Sequence, residues 1–149
     1  MINFVCNSAG LLPSDLNEIE KQYGFIFPQD VRRHYMLHNG GRPDKNRFSN
    51  ESGNYIIDSF IPIKVSTLRT TPTLETILQW LRVERKFLPD QFIPFADDPC
   101  GNLYCFSVAE KDFGAIFWFE AERHERHRTN FLASSLDEFL SKLRKKGEV

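Results

Sequence analysis

Residues 19–28 read Ile-Glu-Lys-Gln-Tyr-Gly-Phe-Ile-Phe-Pro, a stretch that joins two short helices through a glycine and a proline. Upstream of it, apolar side chains recur at the spacing of one helical face, which predicts a helix that Ser14 caps and that Gly24 ends in a left-handed conformation. These apolar residues are Leu12, Leu16, Ile19 and Tyr23. Pro28 has a fixed φ and no N–H, so it suits the first turn of a second helix. Gly40 and Gly41 tolerate the positive φ that the chain needs to leave that helix.

The rest of the chain predicts an α+β fold with a mostly antiparallel mixed sheet of about five to six strands. Two helices precede the sheet, one lies mid-chain, and a C-terminal helix packs on it. The mid-chain helix begins at Thr71-Pro72, and the last has a capping box from Ser135 to Glu138. The polar segment Arg42–Asn54 is predicted to be a mobile loop. The predicted strands are Tyr55–Ile57, Phe60–Ile63, Phe92–Phe95, Leu103–Val108 and Ala115–Phe119.

The order of these motifs resembles the SUKH superfamily, which includes many bacterial toxin-immunity proteins and cell-wall regulators of the Smi/Knr type. The opening pattern is glutamate, glycine, proline and then Asn-Gly-Gly. The later pieces that carry the resemblance are Ile93–Asp97, Cys100–Phe106, Gly114–Phe119 and Ser135–Leu140. Asn102 stands where many relatives carry aspartate, and Phe119–Glu122 matches the usual aromatic-acidic-histidine ending only loosely. The resemblance covers about Leu12 to Leu143 and implies one SUKH-like domain over residues 1–149.

Composition sets the class of protein. The chain has 149 residues, enough for one domain with its own core, and its 13% aromatic content is too high for a disordered protein. A formal net charge of −1 argues against a dedicated nucleic-acid binder, which needs an excess of Lys and Arg. No segment has the apolar length of a membrane span or an export signal, so we expect a cytoplasmic protein without a membrane partner. Its three cysteines are expected to be reduced thiols.

The histidines and cysteines form weak patterns for a metal site. His34 and His38 would share a helical face, and His124 and His127 lie in a second pair, but arginines flank that pair and would repel a dication. The first pair also lacks the glutamate of an H-E-x-x-H protease. We therefore predict no metal site and no cofactor. His34 is expected to be solvated or half-buried, and His38 to interact with the free carbonyls at the end of its helix.

No catalytic motif is present, so we predict a binding protein rather than an enzyme. Acidic side chains near the turns could complement the basic site of a nuclease, and an aromatic anchor would be available if Trp118 or Tyr104 were exposed. Strand 115–119 is apolar on both sides, so its sequence leaves open whether one face is wet. The predicted partner-binding residues are Asp97, Asp98, Asn102, Tyr104, Trp118, Glu120 and Glu122.

Two function classes follow from the resemblance. The first is an immunity protein that binds and neutralises a cognate protein toxin, often a nuclease. The second is an intracellular regulatory or scaffold protein of the cell-wall-regulator type. The sequence identifies neither the toxin nor the oligomeric state.

Overall fold

Two helices follow a short strand near the start of the chain, in the order that the sequence predicts. The computed structural model describes residues 1–68, 71–121 and 127–148. Strand β1 spans Phe4–Val5, helix α1 Pro13–Tyr23 and helix α2 Gln29–Leu37. Gly24 ends α1 at φ 72°, and its N–H donates to the carbonyl of Glu20, as a left-handed helix end requires. Pro28 lies directly before α2.

The start of α1 differs from the prediction. Ser14 lies inside the first turn, and the carboxylate of Asp15 accepts the backbone N–H of Leu12 at 2.8 Å. Leu12 itself precedes the helix and is exposed, whereas Leu11 is buried. The cap assigned to Ser14 and the place of Leu12 on the helical face are therefore wrong. Pro13 occupies the first helical position, which moves the helix start ahead of Ser14.

The turn after α2 uses both predicted glycines at positive φ, 79° for Gly40 and 100° for Gly41. A Cβ on Gly40 would lie 2.8 Å from the Cβ of Pro62. On Gly41 it would lie 2.7 Å from the carbonyl oxygen of Val5. The backbone at this turn is therefore specified both by its conformation and by close approach of neighbouring chain.

The main sheet is antiparallel and has five strands in sequence order, which confirms the α+β class. Two smaller antiparallel pairs join β1 to β2 (Arg42–Pro43) and β3 (Arg47–Asn50) to β4 (Gly53–Ile56). Ile61–Ile63 lies outside the strands although the sequence predicts a strand there. Strand β9 was not predicted, because a five-residue strand after a polar run has a weak pattern of its own. The strands of the main sheet are β5 (Ser59–Phe60), β6 (Phe92–Asp97), β7 (Leu103–Ser107), β8 (Ile116–Phe119) and β9 (Thr129–Ala133).

The segment predicted to be a mobile loop, Arg42–Asn54, instead holds β2, β3 and the start of β4. Phe48 is the reason. Its side chain is 1% exposed and stacks on Phe139 with the ring centroids 4.9 Å apart. One buried aromatic side chain, together with pairing to β4, outweighs the turn-rich composition of the segment. The loop prediction is therefore wrong.

The two remaining helices lie mid-chain and near the C-terminus, as the sequence predicts. Helix α3 spans Leu74–Ile77 after Thr73, two residues later than predicted, and continues as a π-helix over Leu78–Glu84. Helix α4 spans Leu136–Ser141, and the hydroxyl of Ser135 accepts the N–H of Glu138 at 3.1 Å, the predicted cap. None of the helices in these three described stretches has the length and apolar character needed to cross a bilayer.

Candidate functional site

A cleft of about 380 Å³ separates the β3–β4 hairpin from the main sheet, beside the turn that joins β6 to β7. We call it the Trp118 cleft. Strand β4 forms one side, the turn forms another, and side chains of β7, β8 and β9 complete it. Three of the predicted partner-binding residues line this cleft: Asp98, Tyr104 and Trp118.

Asp98 organises the turn at the mouth of the cleft. One carboxylate oxygen accepts the backbone N–H groups of Cys100 at 2.9 Å and Asn102 at 2.8 Å. The other oxygen accepts the side-chain amide of Asn102 at 3.3 Å and the indole N–H of Trp118 at 3.2 Å. Four donors thus stabilise one carboxylate. Asp98 orients Trp118, and its carboxylate is hydrogen-bonded within the protein.

Trp118 forms the aromatic wall of the cleft together with Tyr55, at a centroid distance of 6.0 Å. The guanidinium carbon of Arg128 lies 5.8 Å from the Trp118 ring centroid, within the range of a cation–π contact. The Tyr55 hydroxyl accepts the side-chain amide of Asn130 at 3.0 Å. Trp, Tyr and Arg are the residues most enriched at the energetic centres of protein interfaces. The cleft thus presents these three types from three different strands or their ends.

Tyr104 lies beneath the cleft and is fully buried. Its hydroxyl donates to the carbonyl oxygen of Ile56 at 2.6 Å, which links β7 to β4. Burial raises the pKa of Tyr104 well above its ordinary value. Tyr104 does not meet the condition of exposure that an aromatic anchor requires. It holds the hairpin against the sheet.

Asn102 and Asp97 flank the turn but make internal contacts. The amide oxygen of buried Asn102 accepts the N–H of Ala121 at 3.1 Å. Asp97 lines a different cleft, near Trp80 and Arg85. Its carboxylate accepts the backbone N–H of Ser59 at 3.0 Å and the Ser59 hydroxyl at 2.8 Å. Burial raises the pKa of Asp97 to about 6, opposed by these hydrogen bonds.

The predicted acids do not form one continuous face. Glu120 is 8% exposed and pairs with Arg128 at 3.3 Å. Asp97 and Asp98 line separate clefts. Glu122 lies outside the described residues. Acidic attraction to a partner therefore cannot come from a cluster of free carboxylates at 97, 98 and 120.

The histidines occupy two different environments. His34 and His38 line a groove of about 690 Å³, which we call the histidine groove. Their ring centroids are 5.5 Å apart, and the Phe4 ring lies 4.6 Å from that of His38. His127 instead stacks on Phe119 at 5.1 Å. His124 lies outside the described residues, and within them no group of three or more metal-ligating side chains is assembled.

His34 is buried, so the prediction that it is solvated or half-buried is wrong. Within the described stretches, His34 Nε2 and His38 Nδ1 are buried without a hydrogen-bond partner. Burial lowers the pKa of His34 to about 4, and the neighbouring His38 adds to this effect. The His34 imidazole is therefore uncharged at neutral pH. Cys105 is buried on β7, Cys6 and Cys100 are exposed, and all three cysteines are free.

Sequence reasoning did not single out Tyr55, Arg128 or Asn130. Arg128 and Asn130 belong to the end of the chain where β9 was missed, and Tyr55 was assigned only as a strand residue. The usable signal was the aromatic side chain of Tyr55 in a polar, turn-rich segment. Its proximity to Trp118 depends on hairpin placement, which has no local sequence pattern.

Comparison with known proteins gives one family. The family profile described as "SMI1 / KNR4 family (SUKH-1)" matches residues 10–142. A search of curated proteins finds no match.

Proposed function

The chain belongs to the SMI1/KNR4 family (SUKH-1), and from this premise we propose that it is an immunity protein that binds and neutralises a cognate protein toxin. The family includes immunity proteins and cell-wall regulators and is generally non-catalytic. The proposed partner is a toxin domain, with a nuclease as the first class to test. We place the contact at the Trp118 cleft.

The observation that carries this proposal is the aromatic and cationic wall of the cleft. Trp118 is half-buried, and its indole N–H is already bonded to Asp98, so its ring is held in one orientation. Arg128 covers part of that ring and keeps 65% of its side chain exposed. A preorganised aromatic side chain loses little conformational entropy when a partner covers it. Such a wall suits a high-affinity protein contact.

The predicted site residues then take two kinds of role. Asp98 and Trp118 line the cleft and would face the partner. Tyr104 and Asn102 position these two through the hairpin and the turn. Glu120 would act indirectly, through Arg128, whereas Asp97 bonds to Ser59 and lines a different cleft. Neutralisation requires only that the bound protein cover the toxin's active site or prevent a motion that activity needs.

Co-expression with the toxin encoded beside this gene tests the proposal. The wild-type protein should restore growth of cells that express the toxin and should form a 1:1 complex with it. Trp118→Ala should lose protection. Trp80→Ala provides a matched control, because Trp80 is 51% exposed and lies outside the Trp118 cleft. Both variants should retain the wild-type fold by circular dichroism.

The possible results separate the alternatives. Protection by wild type and by Trp80→Ala, but not by Trp118→Ala, supports immunity through the cleft. Equal protection by all three would retain immunity and remove the cleft as its site. Absence of both protection and complex with any neighbouring gene product would overturn the immunity proposal in favour of the regulatory or scaffold class.

A further inference from the structure

Strand β4 has a free edge that faces the Trp118 cleft. One contact shows which residue pairs of β3 and β4 are hydrogen-bonded to each other and which are not. The N–H of Ile57 donates to the carbonyl of Asn46 at 2.9 Å, so these two residues form a bonded pair. In an antiparallel pair, directly bonded and non-bonded residue pairs alternate. The register opposes Arg47 to Ile56 and Ser49 to Asn54, so these two are the non-bonded pairs. The backbone groups of Ile56 and Asn54 consequently point away from β3.

The other side of the hairpin gives an independent check on this phase. Arg47, opposite Ile56, should also direct its backbone groups outward. Its N–H donates to the carbonyl of Arg144 at 2.9 Å, and its carbonyl accepts the N–H of Arg144 at 2.8 Å. The outer edge of β3 is therefore closed by Arg144. Within residues 1–68, 71–121 and 127–148, no strand pairs with the outer edge of β4.

Among the described residues, a partner is found for one of the outward groups on β4. The carbonyl of Ile56 accepts the Tyr104 hydroxyl. For the Ile56 N–H and for the N–H and carbonyl of Asn54, no hydrogen bond is formed with any residue that the structure describes. Both residues are exposed and line the cleft. Exposed strand edges are usually blocked by lysine, proline or a bulge, and β4 has none of these.

We propose that an extended peptide segment of the partner pairs with this edge and lies across the Trp118 cleft. The inference rests on the proposed function, because it specifies how the partner occupies that cleft. Addition of a strand to an exposed edge supplies main-chain hydrogen bonds, while alternate side chains enter neighbouring pockets. Here the N–H of Ile56 and the N–H and carbonyl of Asn54 supply the hydrogen bonds. The wall of Trp118 and Tyr55 supplies the pocket for an apolar side chain.

The charges of the cleft define one further feature of the segment. Asp98 accepts four hydrogen bonds from within the protein, whereas the Arg128 side chain is largely exposed. The guanidinium group has five N–H donors, and its 3.3 Å contact with Glu120 is made by Nη2. An acidic side chain on the segment would therefore find a donor at Arg128. The partner segment is extended, apolar at alternate positions, and acidic at one end.

Cys100 allows a direct test, because it is exposed and lines the same cleft. In a Cys6→Ser background, a synthetic peptide of sequence Cys-Gly-Thr-Val-Thr-Val-Glu amide is attached to Cys100 through a disulfide. Tethering raises the local peptide concentration to about the millimolar range. A second peptide with the same side chains but N-methylated backbone nitrogens serves as the control.

Amide hydrogen exchange reports the pairing. With the unmodified peptide attached, exchange at Asn54 and Ile56 should slow by roughly tenfold or more, whereas Tyr55, already bonded to β3, should change little. The N-methylated peptide should give no such protection. No slowing with the unmodified peptide, or equal slowing with both peptides, overturns the proposal.

A proline variant separates this inference from the proposed function. Ile56→Pro removes only the outward N–H and leaves the bonds to β3 in place, whereas Ile56→Val retains that N–H. Toxin binding that is lost in Ile56→Pro and kept in Ile56→Val supports edge pairing. Equal binding by both, while Trp118→Ala still abolishes binding, overturns edge pairing and retains the cleft. If Ile56→Pro does not fold, the exchange experiment decides.

Discussion

The Trp118 cleft and the histidine groove are both open depressions, but they differ in how many of their polar groups are hydrogen-bonded. In the cleft, one carboxylate receives four hydrogen bonds and fixes an aromatic ring. In the groove, two imidazole nitrogens are buried with no partner among the described residues, although the groove is the larger depression. Satisfied polar groups preorganise a surface, whereas unsatisfied ones make protonation costly. Size alone therefore does not identify the binding site.

The largest expected effect is on the pH dependence of stability, and it tests the groove. The pKa of His34 falls from 6.5 to about 4 on folding, so the unfolded chain binds the extra proton between these values. This contribution to the free energy of unfolding is present above pH 6.5 and is lost as pH falls towards 4, by up to about 3 kcal/mol. Asp97 has the opposite sign: its pKa rises from 3.8 to about 6, so its contribution is lost as pH rises across that range.

Single variants should expose each contribution by urea unfolding at pH 4.5, 5.5 and 6.5. Asp97→Asn should become more stable with rising pH by a larger amount than wild type. His34→Gln should gain less stability than wild type over the same rise in pH. Wild-type, Asp97→Asn and His34→Gln profiles that run parallel would contradict both assignments.

The next effect tests the cleft. Asp98→Ala leaves the N–H groups of Cys100 and Asn102 and the indole of Trp118 without their acceptor. The loss should lower the free energy of unfolding by about 2 kcal/mol. Asp98→Asn keeps an acceptor oxygen and should lose less. Urea titration checks the order, and a smaller loss for Asp98→Ala than for Asp98→Asn would refute the role of Asp98 in the turn.

A smaller effect is expected for electrostatic steering of the toxin. Because Asp98 and Glu120 bond within the protein and do not form a cluster of free carboxylates with Asp97, Asp98→Asn and Glu120→Gln should each change the association rate at low salt by no more than about twofold. Stopped-flow association at low and high salt measures this, with Asp97→Asn as a control outside the cleft. A large decrease confined to low salt would restore the acidic-interface hypothesis.

The smallest expected effect is the response to metal. With two histidines and no third ligand among the described residues, the groove should not hold a structural ion. Addition of a chelator should leave the melting temperature unchanged. A rise of several degrees with zinc that disappears in His34→Gln would show that the unpaired nitrogens bind metal.

Local sequence patterns correctly predicted several of the turns and helix ends. Gly24, Gly40 and Gly41 have the predicted positive φ, and Ser135 caps α4. These features succeed because their cause lies within a few residues of the chain. The misassigned cap at Ser14 and the missed strand β9 show the limit. Pro13 determines where α1 begins, and pairing with β8 determines that β9 is a strand.

The sequence by itself determined the α+β class, the family and the presence of acids and aromatics around the β6–β7 turn. Only the tertiary structure decided which of these can meet a partner. In the folded chain, Tyr104 is buried, and Asp97 and Asp98 line two different clefts. Tyr55 and Arg128 lie beside Trp118. The physical reason is that exposure and hydrogen-bond satisfaction depend on contacts between residues far apart in the chain. The side-chain pattern of a single strand does not show which of its backbone edges will remain unpaired in the folded protein.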